Sequence, residues 1–120
     1  MTQPQTIEAA AAAPCQACID ACLDCHAVCM DAALRCLQAD PAADAGLVRM
    51  LLDCAELCRT NAELMRADDD LLEETCMACG ILYEHFAREC DLLAGDPVLR
   101  RCAEAIRACV EACENLVMAA

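Results

Sequence analysis

The segment CQACIDACLDCHAVCMDAALRC, residues 15–36, decides how this chain folds. Its cysteines are Cys15, Cys18, Cys22, Cys25, Cys29 and Cys36, separated by three, four, three, four and seven residues, with Ala32 in the one slot left open. Steps of three and four keep side chains on one stripe of an α-helix, the a/d seam of a heptad pattern. A helix over Pro14–Ala39 therefore turns all six thiols to one side, and that side must face an interior.

The rest of the chain repeats the device. Asp40-Pro41 supplies an N-cap with proline at the first helical position, which predicts a second helix running to Ala67 with Leu47, Leu51, Cys54, Cys58 and Met65 on its seam. Asp68-Asp69-Asp70 with Glu73 reads as a capped, acidic start for a third helix ending at Ala94 before Gly95, with Cys76, Cys79, Tyr83, Phe86 and Cys90 on its seam. Asp96-Pro97 opens a fourth helix that runs almost to Ala120 and carries Leu99, Cys102, Ile106, Cys109, Cys113 and Leu116 inward. No segment has strand periodicity. Four helices joined by short loops predict an all-α protein, an antiparallel up-down-up-down four-helix bundle over residues 14–120. Residues 1–13 are a separate tail or a short extra helix, since the alanine run favours helix and Pro14 is expected to stop it.

At 120 residues the chain makes one domain, so any function resides in or on the bundle. A net charge of −13, with eight basic residues that are all arginine, repels nucleic acid and anionic lipid surfaces. No run of eighteen apolar residues occurs, and Met1–Pro14 has no basic start and carries Glu8, which predicts a cytoplasmic protein without a membrane partner. No nucleophile and base constellation with a substrate cleft is legible, so no enzyme is expected.

Fourteen cysteines in a reducing compartment point to metal rather than disulfides. Thiols also pack as small hydrophobes, but a core selected for packing alone would use Leu, Ile and Val. Soft thiolates suit Cu(I), Zn(II) and iron–sulfur clusters. A straight stripe spreads its sulfurs along an axis, unlike the loops that wrap a cluster. Zinc needs four ligands at one point, and Cys54 and Cys58 facing Cys76 and Cys79 offer such a set, so a zinc-binding or redox-responsive regulatory bundle stays open as the alternative. Cu(I) fits a row of sulfurs better: each ion displaces one thiol proton, so a filled core carries no more charge than an empty one.

These residues resemble the cytosolic copper storage proteins. The resemblance covers Cys15–Ala120 and rests on Cys-Leu-Asp-Cys-His-Ala-Val-Cys at 22–29, Leu-Leu-Asp-Cys-Ala-Glu-Leu-Cys at 51–58, Cys-Met-Ala-Cys at 76–79, and the tail from Cys102 through Cys109 and Cys113 to Ala120. It implies storage of multiple Cu(I) ions by all fourteen cysteines, no catalysis, assembly into a homotetramer, and copper donor or acceptor proteins as partners. The chain departs from the family pattern at Tyr83, Phe86 and Ile106, where thiols are usual. Counted from the loops, Leu51, Tyr83, Phe86 and Ile106 form an apolar plug that separates a main thiol channel from an independent group of Cys36, Cys90 and Cys102. His26 and His85 fall on helix flanks as surface residues or entry ligands, and Met65 falls on the seam near one bundle end, as core filler or a soft relay.

Overall fold

The computed structural model describes the backbone of residues 2–39, 45–67, 72–92 and 96–119, and side chains from Cys15 onward within these except at 72, 73, 75, 76, 78 and 119. Four helices make up the fold: α1 (Thr2–Ala39), α2 (Ala45–Arg66), α3 (Leu72–Asp91) and α4 (Pro97–Ala119). Sequential neighbours pack together and α1 closes the ring against α4, while α2 and α3 touch least. The result is the expected antiparallel bundle.

The start of α4 shows the predicted cap. The Asp96 carboxylate accepts from the Val98 backbone N–H at 2.8 Å, and the Asp96 carbonyl accepts from Arg100 N–H at 3.0 Å. Pro97 occupies the first helical position, where it has no donor to lose. The expected cap at Asp40-Pro41, the acidic start at Asp68-Asp69-Asp70 and the stop at Gly95 lie outside the described residues. The expected break at Pro14 does not occur, because α1 is one helix of 38 residues. A proline inside a helix loses one backbone hydrogen bond and crowds the preceding turn, but Ala9–Ala13 just before it are the best helix formers and carry the helix through. At 1.5 Å per residue α1 is about 57 Å long. This accounts for the longest dimension of the molecule, 60 Å, against 21 and 19 Å across.

Sulfur and methyl groups dominate the core. Cys18, Cys22, Cys25, Cys29, Cys54, Cys58, Cys90, Cys102 and Cys109 are all fully enclosed, and Ala32, Ala55, Ala62 and Ala87 fill equally buried positions beside them. Small residues allow the helix axes to approach closely, which places thiols of facing helices within reach of each other. The bulky fully buried side chains are Tyr83, Leu51 and Ile106. The charged residues form a solvated shell of exposed pairs such as Arg35–Asp31 at 2.8 Å, and Arg107 of α4 pairs with Asp91 of α3. Such pairs contribute little to stability.

Because the Asp96 cap satisfies donors that α4 itself cannot, Asp96→Ala is expected to lower the stability of the metal-free protein by about 1 kcal/mol, read as a lower urea midpoint.

Candidate metal centre

The seams of α1, α2 and α4 converge on a line of sulfurs. At one end Cys18 Sγ of α1 lies 3.4 Å from Cys113 Sγ of α4. In the middle Cys25 of α1 meets Cys54 and Cys58 of α2, the three sulfurs all within 4.8 Å of one another, and Cys25 Sγ is also 3.9 Å from Cys29 Sγ. Cys109 of α4 interacts with Cys22, Cys25 and Cys58 together, which joins the end group to the middle one. At the far end Cys29 is the group acting most strongly on Cys102 of α4. None of the thirteen described cysteines is in a disulfide.

Two polar side chains hold this line in place. Asn61 is 1% exposed and is the one buried polar residue among those described. Its Nδ2 donates to Cys22 Sγ at 3.5 Å and to Cys113 Sγ at 3.8 Å. It stands three residues after Cys58 and four before Met65, on the α2 seam itself, where a cysteine-only reading of the seam does not single it out. His26 Nδ1 donates to the Ala55 carbonyl at 2.8 Å, which ties α1 to α2 beside the sulfurs. It is a half-buried structural donor, whereas His85 is exposed and has its ring centroid 6.0 Å from that of Phe86. Met65 is buried in the core.

Eleven of the predicted ligands are buried; Cys15 and Cys36 are half-buried, and the side chain of Cys76 lies outside the described residues. The predicted plug does not separate Cys102 of the Cys36, Cys90 and Cys102 group from the main channel. Leu51, Tyr83 and Ile106 are fully buried and Phe86 is half-buried against the core as expected, yet Cys102 reaches Cys29 on α1 past them. A seam pattern fixes which way a side chain points and leaves the axial stagger of neighbouring helices open, so counting from the loops misplaced α4 against α1.

The protons are shared unequally along the line. Cys25 is pushed down to about 6, first by Cys109 and then by Cys29 and Cys54. Cys22 is lowered by Cys109, Cys113 and Cys18, and Cys58 by Cys109, Cys25 and Cys54. Their neighbours keep protons in exchange: Cys54 is raised chiefly by Cys25, and Cys109 chiefly by Cys22. Cys109 donates its S–H to the Ala21 carbonyl at 3.1 Å. Thiolates beside thiols are an incomplete arrangement in a buried space, since an anion there needs a hydrogen bond or a cation.

The family model described as Csp, copper storage protein, matches residues 11–118. The chain belongs to the copper storage protein family. It is 29% identical over 102 residues to the uncharacterized cysteine-rich protein YhjQ of Bacillus subtilis, covering 84% of this chain and 94% of that one. It also resembles the crystal structure of the Nmul_A1745 protein of Nitrosospira multiformis, with a TM-score of 0.75 and 28% identity over 88% of this chain and 95% of that one. For a copper storage family member the sulfur line is a metal-binding core: soft donors gathered on three helices, with no cationic side chain among the described buried residues to compete for them.

The protonation pattern sets a pH dependence for the empty protein. Burial, followed by Cys102 and Cys29, pushes the Cys90 thiol up to about 12 from its ordinary 9.0. Between those values the unfolded chain releases a proton that the folded protein retains, so stability falls as pH rises through this window. Cys54, Cys102, Cys109 and Tyr83 are shifted in the same direction and add to the fall. Cys22, Cys25 and Cys58 are lowered, so above pH 9 they are ionised in both states and add nothing. Metal-free protein is therefore expected to lose up to about 1.4 kcal/mol per pH unit for each raised thiol above pH 9. Denaturant midpoints at pH 8.5 and 10.5 check this, and equal midpoints contradict it.

Proposed function

We propose that this protein stores Cu(I), holding several ions per chain between the cysteine thiolates of the bundle core and catalysing no reaction. The observation that carries the reading is the continuity of the sulfur line, from the 3.4 Å Cys18–Cys113 contact through the Cys25, Cys54 and Cys58 cluster to Cys29 and Cys102. A monovalent ion shared by two or three thiolates replaces one proton, so successive ions fill the line without accumulating charge in a low-dielectric space. The ligands are Cys15, Cys18, Cys22, Cys25, Cys29, Cys36, Cys54, Cys58, Cys76, Cys79, Cys90, Cys102, Cys109 and Cys113. The Cys25, Cys54 and Cys58 cluster by itself also suits zinc, which is the second reading; zinc explains one such cluster and leaves the remaining buried sulfurs without a role.

The same reading places the protein in the cytoplasm, with copper donor and acceptor proteins as its exchange partners. No described helix is long and apolar enough to cross a membrane. We further propose assembly into a homotetramer. The support is the outer face of α3 and α4, where the exposed Met77, Ile81 and Met118 line an apolar cavity of about 510 Å³.

Anaerobic titration against a Cu(I) chelator is expected to load roughly ten ions per chain, since doubly bridging thiolates tend toward one ion per sulfur. Saturation at one or two ions, or displacement of Cu(I) by Zn(II), contradicts storage. Copper should also raise the melting temperature by many degrees, because a ligand bound only by the folded state stabilises it by mass action. Equal melting temperatures with and without copper would reduce the thiols to packing residues.

A further inference from the structure

Cys18 of α1 and Cys113 of α4 are 95 residues apart in the chain, yet their sulfurs lie 3.4 Å from each other. A disulfide bond is about 2.0 Å long, so small rotations of the two side chains close the remaining gap of about 1.4 Å. The 3.9 Å contact between Cys25 and Cys29 is not equivalent, because those residues are one turn apart on a single helix, where the bridge dihedral is poorly met. Cys113 also lines the apolar cavity of about 510 Å³ on the face of α3 and α4, and no other described cysteine does. A small molecule entering this cavity meets Cys113, with the enclosed Cys18 in contact with it. From α2, Asn61 Nδ2 donates to Cys113 Sγ at 3.8 Å and to Cys22 Sγ at 3.5 Å, which holds Cys113 inward toward α1. Both members of the pair are free thiols in this structure.

We propose that Cys18 and Cys113 form a reversible disulfide when the metal-free protein meets a peroxide, a modification that caps the cavity end of the sulfur line. The cysteine at the cavity reacts first. The Cys113 sulfur takes one peroxide oxygen as a sulfenic acid, the O–O bond breaks, and the other oxygen leaves as water. The Cys18 sulfur then attacks the Cys113 sulfur, the S–O bond breaks, and the second oxygen leaves as water with the Cys18 proton. Two thiols have lost two electrons and two protons, and the peroxide has become two waters. A low-molecular-weight thiol reverses the step by exchange. In a compartment that keeps thiols reduced, such a bridge is transient, which is the character of a redox sensor and not of a structural staple. It withdraws two donors at once and fastens α1 to α4 at the end of the line. Assembly across the face of α3 and α4 slows the entry of oxidant and leaves the choice of pair unchanged.

The disulfide stands apart from the copper reading, whereas the capping rests on it, and the test separates the two. Full-length, reduced, metal-free protein is exposed to an equimolar amount of hydrogen peroxide, its free thiols are alkylated, and linked peptides are mapped by fragmentation in a mass spectrometer. The first link is expected between Cys18 and Cys113, with the loss of two hydrogens from the chain. It should be absent from Cys113→Ser and should disappear on treatment with dithiothreitol. After removal of the peroxide, anaerobic titration of the oxidised protein is expected to load about two Cu(I) fewer than the reduced protein, by counting sulfurs, and the full load should return on reduction. A first link within Cys25, Cys54 and Cys58, or oxidation of the half-buried Cys15 or Cys36 with no link at all, overturns the proposed pair. Equal loading of the oxidised and reduced chains overturns the cap. A reduced wild type that takes up no more than one or two Cu(I) overturns the storage reading instead, and leaves a mapped Cys18–Cys113 link in place.

Discussion

Everything in this structure depends on placing many acidic, polarisable sulfurs in an interior where the described residues bury no cationic side chain to balance them. Packing alone handles a buried thiol well, because a protonated cysteine is a small hydrophobe. A buried thiolate is different: it needs a donor, a neighbouring proton or a positive ion. The bundle supplies the first two sparingly. Asn61 donates to Cys22 and Cys113, and Cys109 keeps its proton against the Ala21 carbonyl while lowering the pKa of Cys25 and Cys58. No buried arginine or histidinium is present among the described residues. The third partner is left for the metal, and a monovalent ion satisfies the site at no net change in charge.

That constraint explains the unusual core. Alanines at Ala32, Ala55, Ala62 and Ala87 bring the helices close enough for sulfurs on α1, α2 and α4 to meet, at the expense of the large side chains that usually hold a bundle together. The fully enclosed bulk is confined to Leu51, Tyr83 and Ile106 among the described hydrophobic residues. The empty fold is thus built around space and donors that a metal uses, which makes binding and stability two expressions of the same contacts.

Much of this was legible in the sequence. The step pattern from Cys15 to Cys36 fixes a helical stripe, Asp96-Pro97 announces a helix start that the structure shows hydrogen bond by hydrogen bond, and the seams assigned the buried cysteines correctly. What was missed has a common cause. Periodicity reports radial direction, so Asn61 could have been found on the α2 seam by asking which seam residue is polar. It reports nothing of axial stagger, so the meeting of Cys29 with Cys102, and the failure of Leu51, Tyr83 and Ile106 to seal off Cys102, required the packed helices. His26 was placed correctly on a flank, but its bond to the Ala55 carbonyl depends on where α2 lies against α1. Pro14 was read by its local rule, and the alanine run before it prevailed.

The central claim is that the sulfurs form one continuous ligand line. Anomalous scattering at the copper edge from crystals of the fully loaded protein tests it most directly. The account predicts a file of interior copper peaks, each bound by two or three cysteine sulfurs, running without a gap from Cys18 and Cys113 through Cys25, Cys54 and Cys58 to Cys29 and Cys102. Peaks confined to one cluster, or lying on the surface at His85 and the exposed methionines with an empty core, would contradict it.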